Sequence, residues 1–230
     1  MSATSQPAAA ADAAQAVDQA PAEPAAGAGL HAAARVKICG ITNLGDAELA
    51  VELGAWAVGM NFYAPSPRRC SLEEIERHSE ELGLSLVQLH GDEGPAFCGE
   101  ARRRTGARVI KAAQVSGPGD VRDLERFHVD FHLLDARSRA IERRGMRGGT
   151  GETFDWGLVA ARRSSVPLIL SGGLGPENVA EAIAATHPYA VDSASGTESA
   201  PGHKDPKRLA DFFRAVELAR ADPHEIGART

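Results

Sequence analysis

Val36-Lys37-Ile38-Cys39-Gly40-Ile41-Thr42-Asn43 reads as a short apolar strand that ends on a thiol and turns at once into a helix. Parallel α/β folds put their chemistry at such an edge, on loops held by the carboxyl ends of a rigid sheet. Asn43 is placed to cap the following helix, with Leu44, Ala47, Ala50 and Val51 on its apolar face. An isolated cysteine is more often a small buried hydrophobe than a catalyst, so Cys39 alone decides nothing.

Outward from this stretch, strand-like and helix-like runs alternate with short turns. The strands are predicted at 36–40, 56–62, 85–90, 108–113, 129–135, 167–171 and 189–193. Helical patterns fall at 46–53, 72–82, 95–104, 120–127, 155–163 and 176–185, with a last one at 206–220. This rhythm signals repeated βα units and a parallel sheet. The strands are nearly all apolar, as a sheet covered on both faces requires. Polar and glycine residues collect at their carboxyl ends: Cys39-Gly40, Asn61, His90-Gly91, Asp135, Ser171-Gly172-Gly173 and Asp192-Ser193. Their spread over most strands favours a closed or nearly closed barrel, which gathers such ends at one mouth.

Residues 1–34 stand apart. They are Ala-rich, contain no Lys or Arg, and carry almost no large apolar residue, so they form neither a targeting peptide nor a core. We read them as a disordered tail, with a helical docking arm as the other reading of the alanines. Residues 35–221 then form one barrel domain and 222–230 a flexible C-terminal tail. The net charge of −6 argues against nucleic acid as a main partner, and no apolar run approaches membrane length. Cys39, Cys70 and Cys98 lie at unrelated spacings that suit neither a disulfide framework nor a metal knuckle, and a reducing cytoplasm is the simplest setting.

Several of the strand ends could do chemistry. Asp135 shares a strand face with Phe131 and Leu133, and a carboxyl against apolar neighbours tends to keep its proton. A plain loop-capping Asp is the competing reading. Lys37 points to the same side as Cys39, where its ammonium favours the thiolate; the structural alternative is a lysine that bridges inward carboxylates in a barrel core, and the two are compatible. Bare amides at Gly172 and Gly173, ahead of a helix opened by Pro176, suit a phosphate, and Ser195 and Gly196 offer a second set of donors after the last strand. The Gly149-Thr150-Gly151 run suits a loop that closes over substrate, or an ordinary surface loop. Arg68, in a Ser66-Pro67-Arg68 turn, could clamp a carboxylate through two parallel hydrogen bonds.

Seven segments carry a resemblance: KICGITN (37–43), SPR (66–68), QLHGDE (88–93), LLDA (133–136), GGTGETFDW (148–156), LSGGLGPENVAEAI (170–183) and VDSASGTESAPGHKD (191–205). Together the chain resembles the phosphoribosylanthranilate isomerases of tryptophan biosynthesis from Arg35 to Ala219. The resemblance implies a TIM-type (β/α) barrel of the ribulose-phosphate-binding kind and an Amadori rearrangement of N-(5-phosphoribosyl)anthranilate. It implies Asp135 as the acid on the furanose oxygen and Cys39 as the thiolate base at C2′. Gly172, Gly173, Ser195 and Gly196 would hold phosphate, Arg68 would face the anthranilate carboxylate, and His90 and Asp192 would orient groups at the mouth. No metal or organic cofactor is implied, and the partner is a small phosphorylated substrate, with the chain as monomer or homodimer.

One departure from the family pattern is large. Between the SPR turn and QLHGDE the family has helix, strand, helix; here only residues 69–86 intervene, enough for one helix. A whole βα unit is missing, which leaves seven strands rather than eight. Strands two and three of this chain must then pair directly or leave two free edges. The contraction keeps a second reading open, a noncatalytic phosphate-binding or interaction module. A third, a sugar isomerase of the histidine pathway, is disfavoured because such enzymes resemble a two-Asp arrangement and strand one here ends in Cys.

Overall fold

The computed structural model describes residues 34–61, 65–69, 85–136 and 155–221. Seven strands, β1 (Arg35–Cys39), β2 (Ala57–Gly59), β3 (Leu86–Leu89), β4 (Arg108–Val115), β5 (Phe131–Ala136), β6 (Leu168–Leu170) and β7 (Ala190–Ser193), form one sheet. Every pairing is parallel, and the order is β2-β1-β7-β6-β5-β4-β3. That is the order of a TIM-type barrel opened between β2 and β3. Of the two outcomes expected for the lost unit, direct pairing is not seen: among the described residues no ladder joins β2 to β3, and just past β2 Asn61 forms an isolated parallel bridge with Arg69. The expected helix at 72–82 lies outside the described residues.

The helices are α1 (Leu44–Glu52), α2 (Pro95–Thr105), α3 (Pro118–Asp123), α4 (Val179–Thr186) and α5 (Pro206–Ala221). Asn43 caps α1 as its sequence position predicts, its side-chain oxygen accepting from the Asp46 amide at 2.9 Å. α5 buries Leu209, Phe212, Phe213 and Val216, the i, i+3, i+4, i+7 stripe of a helix packed on one side. Two expected α-helices are shorter or tighter. The one at 120–127 is α3 continued by a 3₁₀ turn at Leu124–Arg126, and the one at 155–163 is a 3₁₀ helix at Trp156–Ala161. An apolar period of three to four does not tell α from 3₁₀ over so few residues.

Strand alternation divides the core. Ile110, Ala112, Phe131, Leu133, Ile169 and Ala190 face one another inside the curl of the sheet, with Trp56, Leu86 and Tyr189 packed against them. The three large rings stack edge-on or tilted, 5.2–5.6 Å apart, and fill the end where the strands begin. Residues of opposite parity meet the helices: Val36 and Ile38 with α1, α4 and α5, and Val109 and Leu134 beneath α2 and α3. Each fully buried Phe, Leu or Ile contributes about 1.5–3 kcal/mol. The filled end leaves the carboxyl ends of the strands as the open mouth.

Candidate active site

β1 and β7 meet across a buried ion pair. Lys37 Nζ lies 2.8 Å from Asp192 Oδ1, and Ser171, just past β6, donates to Asp192 Oδ2 at 3.1 Å. Lys37 is buried, and burial works against its charge, but Asp192 and Cys39 outweigh that and hold it firmly as an ammonium. Cys39, two residues on, points to the same side. A Cβ placed on Gly59 of β2 would sit 3.3 Å from both Cys39 Sγ and Lys37 Nζ, so thiol and ammonium face one space.

Asp135, the last residue but one of β5, lies on the interior face, as period two predicts, and is 6% exposed. Burial, with the negative charge of Asp192 as the second cause, pushes its pKa up to about 7 against the pull of the Ala136 amide and Lys37. Asp135 and Cys39 therefore both interact electrostatically with the Lys37–Asp192 pair. His90 Nε2 lies 3.6 Å from Asp135 Oδ2. Its loop is fastened from outside the sheet: the Lys111 ammonium donates to the Gly91 carbonyl at 2.8 Å and to Glu93 at 2.9 Å.

The thiol differs from the sequence expectation. Lys37 and Lys204 do pull the Cys39 pKa down, but burial and Asp192 push harder, and the net shift is upward. Burial is the main cause, and the Asp192 carboxylate that pairs with Lys37 cancels part of the lysine's field, so the surroundings favour the thiol.

Past β6 and β7 the two glycine-rich loops interlock. Ser193 Oγ donates to the Leu174 carbonyl at 2.7 Å, and a Cβ on Gly196 would run into that same oxygen. Gly172 adopts φ +89 and its missing Cβ makes room for the Ala136 amide, so no other residue fits there. Asn178 ties the first loop, accepting from the Gly175 amide at 2.9 Å and donating to the Gly173 carbonyl at 3.0 Å. Gly172, Gly173, Ser195 and Gly196 are thus brought to one place. Gly149, Thr150 and Gly151 lie outside the described residues.

Arg68 is at the mouth, but its fork is taken. Nε donates to both Glu198 oxygens at 2.8 and 3.1 Å, and Nη2 to Oε2 at 2.7 Å. Glu198 belongs to a small antiparallel hairpin, β8 (Glu198–Ala200) and β9 (His203–Lys204), that the sequence reading missed. Strands of two and three residues leave almost no periodic signal. The one clue was the retention of Glu198 and Lys204 within VDSASGTESAPGHKD, where neither received a role.

Curled parallel strands with helices outside and reactive groups gathered at their carboxyl ends define a TIM-type (β/α) enzyme. Residues 68–215 match the family model described as N-(5'phosphoribosyl)anthranilate (PRA) isomerase. The N-(5'-phosphoribosyl)anthranilate isomerase of Citrifermentans bemidjiense is 42% identical over 200 residues, covering 76% of this chain and 93% of that protein. The Myxococcus xanthus isomerase is 41% identical over 213 residues, 80% of this chain and 96% of its own. The chain belongs to the N-(5'-phosphoribosyl)anthranilate isomerase family.

Solved structures agree. The isomerase of Thermotoga maritima superposes with a TM-score of 0.69 at 37% identity, over 80% of this chain and 99% of that one. A family structure in complex with reduced 1-(o-carboxyphenylamino)-1-deoxyribulose 5-phosphate gives 0.65 at 34% identity, over 80% of this chain and 99% of that one. The alignments also size the gap. Seventy-six per cent of 230 residues is about 175, about 25 fewer than the 200 aligned with the Citrifermentans protein, which is the size of one βα unit.

Proposed function

We propose that the chain isomerises N-(5'-phosphoribosyl)anthranilate to 1-(2-carboxyphenylamino)-1-deoxyribulose 5-phosphate, the Amadori step of L-tryptophan biosynthesis. The observation that carries the reading is the placement of a buried, proton-retaining Asp135 and a partly buried Cys39 around one Lys37–Asp192 pair at the mouth.

Asp135 gives its proton to the furanose ring oxygen, the C1′–O bond breaks, and the anthranilate nitrogen's lone pair forms C1′=N. Cys39, once deprotonated, takes the proton from C2′, and the C–H electrons move into the imine to give an enol-amine. The enol-amine then takes a proton at C1′ while its C2′ hydroxyl gives one up and the C2′=O bond forms, which leaves the ketose. The cationic imine brings positive charge to the site and favours the thiolate at the moment it is needed. Asp192 keeps Lys37 in place between the two groups, and His90 orients Asp135. The interlocked loops at Gly172, Gly173, Ser195 and Gly196 receive the phosphate through backbone amides. The substrate's own nitrogen is the electron sink.

No helix among the described residues is long and apolar enough to cross a membrane. A reducing cytoplasm, where Cys39 and Cys98 remain free thiols, suits the chemistry. The reading carries a small phosphorylated substrate as the partner and a chain that works as monomer or homodimer.

Complementation of a tryptophan auxotroph lacking the isomerase tests the proposal. Growth with the wild-type gene is expected, and growth lost with Cys39→Ala or Asp135→Ala, since a positioned acid or base contributes about 10²–10⁴-fold. A well-folded wild-type protein that fails to restore growth favours the noncatalytic module instead.

A further inference from the structure

The β8–β9 hairpin lies outside the main sheet and folds back over the strand ends. Thr42 Oγ1 donates to the Gly202 carbonyl at 2.6 Å, and the Lys204 amide donates to Asp46 at 2.9 Å. The Lys204 ammonium, fully buried, donates to the Cys39 carbonyl at 2.7 Å, the Ala194 carbonyl at 3.0 Å and Glu198 Oε1 at 3.3 Å. Glu198, its side chain 4% exposed, thus holds Lys204 on one side and Arg68 on the other. Burial alone would push its carboxyl up, but Arg68 and Lys204 outweigh it and keep Glu198 a carboxylate.

A buried guanidinium is costly unless its geometry is fixed. Here two of its three nitrogens are fixed by one carboxylate, and because the group is planar the direction of Nη1 follows. The stem is fixed too: Arg68 Cδ occupies the space of a Cβ on Gly40, 2.6 Å from where that atom would stand, directly after Cys39. The fork therefore sits over the thiol strand, while the interlocked glycine loops lie beyond β6 and β7.

We propose that Glu198 is a positioning and specificity-determining residue: it occupies Nε and Nη2 of Arg68 and so presents Nη1 alone to the carboxylate on the substrate's aromatic ring. The inference rests on the isomerase reading above. Substrate recognition at Arg68 is then single-pronged, and Lys204 links it through Glu198 to the strand end that carries Cys39.

The test compares two ligands on the full-length chain: the reduced product 1-(o-carboxyphenylamino)-1-deoxyribulose 5-phosphate, which carries both anionic groups, and inorganic phosphate, which carries one. Glu198→Gln weakens binding of the reduced product about tenfold and raises KM more than it lowers kcat, while phosphate binding stays within about twofold. In an Arg68→Ala background the same substitution adds nothing, because its effect runs through the arginine. Equal losses for both ligands, additive losses in the double variant, or an unchanged reduced-product affinity would each overturn the proposal. Should Glu198→Gln fail to fold by circular dichroism, Glu198→Asp, which keeps the charge but shortens the reach, carries the same comparison. A wild-type chain that binds phosphate but not the reduced product refutes the isomerase reading and this proposal with it; a failure confined to the variants refutes Glu198's role alone.

Discussion

At the scale of single residues the site is governed by which of two charges each group meets. Asp135 meets Asp192 and an apolar wall, so it holds its proton near pH 7. Cys39 meets Lys37 and Lys204, yet burial and Asp192 leave it a thiol. The proposed base, Cys39, therefore has the higher pKa and the proposed acid, Asp135, the lower. The competent form, thiolate with undissociated acid, is a minority species. Its abundance rises with pH until Asp135 begins to ionise, stays level, and falls only when Cys39's own value is passed. The kcat/KM profile of the wild-type chain should be bell-shaped with its acid limb near 7, and a Lys204→Met variant should show a lower plateau and an alkaline limb moved upward. Removing Lys204 takes away a charge that lowers the thiol's pKa, so the sign follows directly. An unmoved alkaline limb would mean that the thiol does not titrate in that range. Asp135 was legible in the sequence because period two sets it beside Leu133. The resting state of Cys39 was not, because it depends on Asp192, which lies 153 positions away and one strand over.

At the scale of elements, helices and loops build the proposed anion site. Their existence was readable from the alternation of apolar runs, and Asn43 marked the start of α1, whereas Pro176, expected to open the next helix at 176–185, stands in the turn before Asn178 caps α4 at Val179. Their lengths were not: a run such as 56–62 contributes only Ala57–Gly59 to the ladder, since parallel pairing ends where β1 itself turns away at Gly40. The two-strand hairpin escaped entirely, for its residues are held by side-chain ions rather than by any apolar pattern. What the sequence showed as two separate glycine loops is one interlocked unit, with Gly196 seated on the Leu174 carbonyl. Gly196→Ala should force that unit apart, raising KM and weakening inorganic phosphate by about tenfold, with about 1–3 kcal/mol of stability lost to overpacking. Phosphate titration of the variant checks it; unchanged affinity would remove Gly196 from the anion site.

For the whole molecule the decisive feature is the opening between β2 and β3. The missing unit could be inferred from the short 69–86 span, but whether the remaining strands would close was a three-dimensional question. They do not pair among the described residues. The opening lies beside β2, one strand away from β1, whose Cys39 is in register with Gly59 of β2, whereas Asp135 is on β5, flanked by β4 and β6 in the continuous part of the sheet. The thiol is thus the group most exposed to any loosening, and a displacement of about 1 Å costs on the order of a hundredfold in rate. Against that stand the Lys37–Asp192 pair and the Lys204 bond to the Cys39 carbonyl, both of which tie β1 to the β7 side rather than to the free edge. The account therefore holds that seven strands suffice to keep acid and base in working positions. Turnover of N-(5'-phosphoribosyl)anthranilate by the purified chain, beside Cys39→Ser and Asp135→Asn, measures this directly. We expect the wild type to convert substrate and each variant to lose about 10²–10⁴-fold in kcat. A folded wild type without turnover, or a variant that keeps the wild-type rate, would contradict it.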